Sequence, residues 1–157
     1  MSERNKWLAL DDEALLRLCR CEAVRGTGPG GQKRNKTSTA IRLTHLPSGI
    51  TVTDDVSRSQ HQNRDAALRK LRLQLALELR DTETIACGPM PQEKAKQPQW
   101  AAYALDALEA ADYKVSDAAT ALGLSTGRFT KDLAHIPALW QIVNANRAKR
   151  NLPLLRT

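Results

Sequence analysis

Between Arg25 and Arg42 the chain reads RGTGPGGQKRNKTSTAIR, and no regular element can run through the first half of that stretch. Gly26, Gly28, Gly30 and Gly31 are four of the chain's 8 glycines, with Pro29 among them. Glycine loses the most backbone freedom on ordering and proline cannot donate to a ladder, so helix and central strand are both disfavoured. The stretch is expected to be a loop. Its second half carries charge: Arg25, Lys33, Arg34, Lys36 and Arg42 are basic, and no acidic residue occurs from Ala23 to Thr53. A glycine tip on a basic stem suits a device that approaches a polyanion.

The charge of the whole chain points the same way. Its formal net charge is +7 over 157 residues, with a pI near 9.7. Residues 1–80 hold 15 Lys+Arg and 9 Asp+Glu, whereas residues 81–157 hold 9 and 8, so the polyanion contact is expected mainly in the first half. No apolar run approaches the ~20 residues of a membrane helix, and the N-terminal MSERNKWLALDDEALL lacks the layout of a signal peptide, so no membrane partner and a cytoplasmic location are expected. Cys19, Cys21 and Cys87 show no CxxC spacing, and His45, His61 and His135 are scattered. Neither a disulfide framework nor a metal site is indicated, and no cofactor is expected.

Read in order, Leu8 to Leu18 is an acidic-leaning amphipathic segment with Leu8, Leu10, Leu15, Leu16 and Leu18 as core candidates, a short helix or turn leading into a strand over 18–25. Beyond the loop, the β-branched run Thr37 to Thr44 and the alternating run Ile50 to Val56 flank a Pro47-Ser48-Gly49 turn and predict a hairpin with a four- or five-residue connection. Ser57 and Ser59 each precede a glutamine by three residues, the capping-box pattern. A helix is expected from there to Arg80, with Leu68, Leu71, Leu75 and Leu79 as its seam and Arg64, Arg69, Lys70, Arg72 and Arg80 directed mostly elsewhere. Residues 81–98, rich in Gly and Pro, read as a linker. A helix begins at Trp100. A helix-turn-helix outline follows, with Ser116 and Ser125 as caps, Gly123 at the turn, and Arg128, Phe129, Lys131 and Leu133 on the second helix. Pro137 opens a last helix with Leu139, Trp140 and Val143 in the core, ending in the basic residues Arg147, Lys149, Arg150 and Arg156.

Two loop chemistries can be compared. From Gly26 the spacing reaches Gly31 as a phosphate-binding loop would, but Gln32 stands where lysine must meet the phosphates, and a strand follows where a helix should begin. Nor does the loop arrange a nucleophile and a base. What it offers is backbone N–H groups freed by glycine and one neutral amide, Gln32. These can orient a water and stabilise an oxyanion if another body supplies the ester and the rest of the site.

The ordered series Gly30-Gly31-Gln32, Asn35-Lys36-Thr37, Ala40-Ile41-Arg42, Thr44-His45-Leu46-Pro47-Ser48-Gly49-Ile50 and Arg58-Ser59-Gln60-x-x-Asn63 resembles the catalytic domain of class I peptide-chain release factors over about residues 18–80. The resemblance implies an α+β architecture. It gives a small α/β catalytic domain at 1–80, with a mixed or antiparallel sheet and a packed helix; the residues beyond, read above on their own pattern, add the 81–98 linker and a small all-α, helix-turn-helix-like domain at 99–157. It implies a ribosome-dependent peptidyl-tRNA hydrolase whose catalytic residues are Gln32, Gly30 and Gly31. The Gln32 N–H would stabilise the transition state or leaving hydroxyl, and its side chain would help select water. Arg25, Lys33, Arg34, Lys36, Arg42, Arg58, Arg64, Arg147, Lys149 and Arg150 are the expected nucleic-acid contacts. The partners implied are the ribosome, through large-subunit rRNA at the peptidyl-transferase centre, and peptidyl-tRNA, with the protein itself a monomer. Lys33-Arg34 depart from the His-Val usual after this motif. A codon-reading domain has no room in 157 residues, so the chain resembles the short, codon-independent type that rescues stalled ribosomes. The alternative is an RNA- or DNA-binding regulator that uses the helix-turn-helix without hydrolase activity.

Overall fold

The computed structural model of the chain describes residues 1–25 and 39–157. The expectations for Gly30, Gly31, Gln32, Lys33, Arg34 and Lys36 lie outside the described residues. The chain divides into two compact units, Glu3–Leu75 and Ala76–Thr157, and each is taken by itself.

The first unit is α+β. Helices α1 (Glu3–Ala9) and α2 (Asp12–Arg17) precede strand β1 (Cys19–Val24), strands β2 (Ala40–His45) and β3 (Thr51–Asp54) follow, and the long helix α3 (Gln60–Glu78) begins in this unit. The strands form an antiparallel sheet in the order β1-β2-β3, with Val24 opposite Ala40, Cys19 opposite His45 and Leu43 opposite Val52. Residues 46–50 connect β2 to β3, the expected five-residue turn. Gly49 takes φ of 75°, a left-handed conformation that costs a residue with a Cβ about 1–2 kcal/mol, and its N–H donates to His45 O at 2.7 Å.

The core of this unit is Leu8, Leu15, Ile41, Leu43, Val52, Leu68, Leu71 and Leu75. Leu10, Leu16, Leu18 and Leu79 are only half-buried, and Leu79 lies beyond the end of α3. The expected single segment over 8–18 is instead two helices. Asp11 ends the first by capping the second, its carboxylate accepting from Ala14 N at 2.7 Å, so polar capping outweighs the run of leucines. A second difference concerns Arg72. It is 9% exposed rather than directed at solvent, donating to Asp12 Oδ1 at 2.8 Å and to Leu8 O at 3.3 Å, and so ties the α1–α2 corner onto α3. Cys21 is exposed, whereas Cys19 is half-buried with its thiol on Leu15 O, and burial pushes its pKa up to about 11.

The second unit is helical: α4 (Gln97–Ala110), α5 (Val115–Ala121), α6 (Thr126–Ala134) and α7 (Pro137–Lys149). Helix α4 is apolar nearly all round, burying Trp100, Ala101, Ala102, Ala104, Leu105, Ala107 and Leu108, and forms the centre of this unit. Residues 81–93 carry no helix or strand, but they are stitched to the unit: Asp81 N donates to Asp106 Oδ1, Gly88 N to Leu122 O, Met90 N to Asp132 Oδ2, and Trp100 Nε1 to Gly88 O. Ser125 caps α6 as expected, accepting from Arg128 N. Ser116 does not cap α5. The helix starts at Val115, because Asp112 and Tyr113 are both left-handed and reverse the chain before it. Pro137 opens α7, with Leu139 and Val143 buried and Trp140 half-buried.

His45 closes the first unit's core at the turn end of the sheet. It is 0% exposed, Trp7 meets its ring edge-on at 4.6 Å between centroids, Nδ1 lies 2.7 Å from Ser48 Oγ, and Nε2 has no hydrogen-bond partner among the described residues. Burial lowers its pKa, so the folded state binds this proton less readily than the unfolded chain. Stability contributed by the neutral ring is therefore complete above the unfolded value of about 6.5 and is lost as pH falls below it. Urea midpoints should decline from pH 7.5 to 5.5, and His45→Gln, though less stable at pH 7.5, should flatten that slope.

Candidate functional site

The described residues define the base on which the glycine stretch is mounted. Val24 and Ala40 are directly paired on adjacent antiparallel strands, so Arg25 and Thr39 leave the sheet side by side. Asn63, in the first turn of α3 and 0% exposed, holds this junction. Its Nδ2 donates to Thr39 O at 2.7 Å and to Ser57 O at 2.8 Å, while its Oδ1 accepts from Ser57 N at 2.8 Å. One amide thus satisfies three backbone groups from two separate segments, using both its donors and its acceptor.

The helix start beside it is fixed by the two serines predicted as caps, with divided roles. Ser59 is the cap, its Oγ accepting from Gln62 N at 3.3 Å, while Ser57 Oγ accepts from Ser59 N at 3.0 Å and bonds the Gln62 side chain. Further along α3, Lys70 Nζ sits 2.6 Å from Asp54, whose side chain is only 4% exposed, and also donates to Thr53 O. That lysine is committed to holding helix on strand.

The expected nucleic-acid contacts separate into two groups. Arg25 leaves β1 at the junction, Arg58 lies between the two serines and Arg64 follows Asn63, so these three surround one end of the sheet; Arg25 and Arg58 are exposed and Arg64 half-buried. Arg42 is exposed on β2, in register with Glu22 and Thr53. Arg147, Lys149 and Arg150 lie at the end of α7 in the second unit, and two of them serve its own backbone. Arg147 donates to Tyr113 O and to Pro153 O, and burial lowers its pKa. Arg150 lies over the Tyr113 ring at 4.4 Å, donates to Asp112 Oδ1 at 2.8 Å and to Asn146 O, and its pKa is raised chiefly by the Asp112 hydrogen bond. Both brace the left-handed Asp112-Tyr113 pair. Lys149 is exposed.

The stem has no acid–base machinery of its own among the described residues. A His–carboxylate pair does occur on α3, His61 Nδ1 to Asp65 Oδ2 at 3.2 Å, but its side chains are 70% and 49% exposed at i, i+4 spacing, which describes a solvated helix-surface pair. What the described geometry supplies is positioning: a rigid stem with cations around it.

Residues 15–106 match the RF-1 domain family model, more than half of the chain, and the chain belongs to that family. It is 52% identical over 54 residues to peptide chain release factor 1 of Xylella fastidiosa (strain 9a5c), a stretch covering 34% of this chain and 15% of that protein. Peptide chain release factor 2 of Phenylobacterium zucineum (strain HLK1) is 52% identical over 65 residues, 41% of this chain and 18% of its own length. Peptide chain release factor 1 of Campylobacter curvus (strain 525.92) is 42% identical over 67 residues, 43% and 19% respectively. The matched stretch spans less than a fifth of each of these relatives.

The role of Asn63 is one that sequence reasoning did not assign, although the residue belongs to the series on which the resemblance rests. Replacing it with alanine takes this partner from Thr39 O, Ser57 O and Ser57 N, all in half-buried residues. At roughly 0.5–1.5 kcal/mol for each hydrogen bond so lost, Asn63→Ala should cost about 2–4 kcal/mol. The check is a denaturant midpoint that falls in proportion.

Proposed function

We propose that this chain hydrolyses the ester of peptidyl-tRNA on the ribosome, without reading a codon, as a release-factor-like rescue factor. Gln32 positions the attacking water and stabilises the departing oxygen, and Gly30 and Gly31 give the backbone the freedom to bring its N–H there. The observation that carries the reading is the stem. A stretch bearing Gly30-Gly31-Gln32 is anchored at both ends by a paired strand junction, Asn63 ties that junction to the α3 N-terminus, and Arg25, Arg58 and Arg64 stand around it. Family membership through residues 15–106 supports the same reading.

The division of labour follows from what the stem lacks. With no base and nucleophile beside it among the described residues, the chain contributes pre-organised amide groups, and ribosomal RNA with the tRNA supplies the activated ester and the walls that exclude other nucleophiles. Arg25, Lys33, Arg34, Lys36 and Arg42 meet rRNA or tRNA phosphates, the first two after Gln32 adding charge at the base of the tip. The protein acts as a monomer in the cytoplasm. Among its described residues no helix is long and apolar enough to cross a membrane.

Release of labelled peptide from ribosomes stalled on a truncated message tests this directly. Wild type should release it, and Gly31→Ala and Gln32→Ala should each slow release by at least about 10²-fold, the scale of losing one oxyanion donor. Equal release with and without a stop codon in the decoding site is expected. Release confined to stop-programmed ribosomes would overturn the codon-independent part alone.

A further inference from the structure

The second unit carries a groove that the proposed chemistry does not use. It encloses about 570 Å³ along the exposed side of α6 and is bounded by the segment after α7. Gly127, Thr130 and Ala134, at i, i+3 and i+7, lie along one row of the helix, and Lys131 and His135 occupy the next, with Arg156 contributed by the segment. No aspartate or glutamate lines it. The acid nearest in sequence, Asp132, is 3% exposed and turned inward, where Arg128 Nε and Met90 N bind it. Arg128 is therefore partly engaged in the fold, and Lys131 is the basic residue of α6 left exposed to solvent without a side-chain partner among the described residues.

Arg156 is held at the groove by the turn that precedes it. Asn151 is left-handed and reverses the chain after α7, Leu152 N donates to Arg147 O, Arg147 Nε donates to Pro153 O, and Leu155 N donates to Asn144 Oδ1 at 2.8 Å. Ordering these residues costs on the order of 1–2 kcal/mol each, which the bonds and the half-buried Leu152 and Leu155 offset. The outcome is an arginine held opposite Lys131 and His135.

We propose that this groove is a docking site for a single RNA strand, held by its phosphates. Three cationic or protonatable groups line it and no aspartate or glutamate side chain opposes them, which is the electrostatic footprint of a polyanion site. Lys131 and His135 are four residues apart and so ~6 Å along the axis, about one nucleotide step of an extended strand. Small residues on the adjoining row let a backbone approach the helix closely. A groove on the protein receives one strand, whereas a helix would have to enter a duplex, and the A-form major groove is too narrow for that. The choice of RNA over an acidic peptide rests on the reading that the chain works on the ribosome; the groove and its charge do not.

The test is fluorescence anisotropy of the full chain with a labelled 12-nucleotide uridine RNA near 0.1 M salt. K131Q/R156Q should bind at least tenfold more weakly, and the slope of log K against log salt should drop by about 1.4, at ~0.7 for each phosphate no longer neutralised on a single strand. Asn144→Ala, which frees the segment without removing charge, should weaken binding several-fold with the helical circular dichroism intact. K94Q/K96Q makes the same charge change at exposed positions outside the groove and should stay within twofold of wild type. A groove variant that binds no worse than this control overturns the proposal, as does polyglutamate competing as well as RNA and losing its hold in the same variant. Loss of peptide release in Gln32→Ala with RNA binding unchanged speaks to the loop and leaves the groove proposal standing.

Discussion

The corner from which the glycine stretch leaves the sheet is tied together by the side chain of Asn63. A three-stranded sheet has two strand ends, a helix start and a connecting segment to bring together at one corner, and each arrives with backbone groups that no ladder satisfies. Asn63 is short enough to be fully buried in the first turn of α3 and carries two donors and an acceptor in one plane, so it serves Thr39 and Ser57 together. Aspartate would lose both donors and leucine all three bonds. The cations at this corner stand on a frame that does not need them: Arg25, Arg58 and Arg64 make no hydrogen bond or ion pair with other described residues.

The second unit uses its charge differently. Two consecutive left-handed residues, Asp112 and Tyr113, cost roughly 1–2 kcal/mol each in backbone strain, and the chain places two arginines of α7 on them. Arg150 stacks on the ring of Tyr113 and bonds Asp112, and Arg147 takes the Tyr113 carbonyl. A basic helix end that reads as a nucleic-acid contact is in large part an internal brace. Lys131 on α6, Lys149 and Arg156 remain exposed.

Much of the architecture was legible because local rules decide it. The glycine–proline run excludes regular structure, Pro47-Ser48-Gly49 turns a hairpin, and Ser59 starts a helix whose Leu68, Leu71 and Leu75 are buried as their spacing predicts. Where the reading failed, an interaction between distant residues overrode local pattern. Arg72 is apolar-facing because Asp12, 60 positions earlier, neutralises it, and no periodicity carries that information. Ser116 had the right chemistry for a cap, but the helix start was set by the reversal at Asp112-Tyr113. The cations of the candidate site were legible as a list; which were free was not, since Lys70, Arg147 and Arg150 are engaged by groups that only the fold brings near.

The pairing of Val24 with Ala40 has a consequence for how such a chain can change. With its two ends held side by side by the sheet and by Asn63, the intervening stretch carries a closure entropy that grows slowly with length, a doubling costing only about 0.6 kcal/mol. By that measure an insertion between Arg25 and Thr39 is cheap, whereas a change at either anchor is not. Length between the two anchors can vary at small cost, while the anchors themselves answer to packing and to the bonds of Asn63.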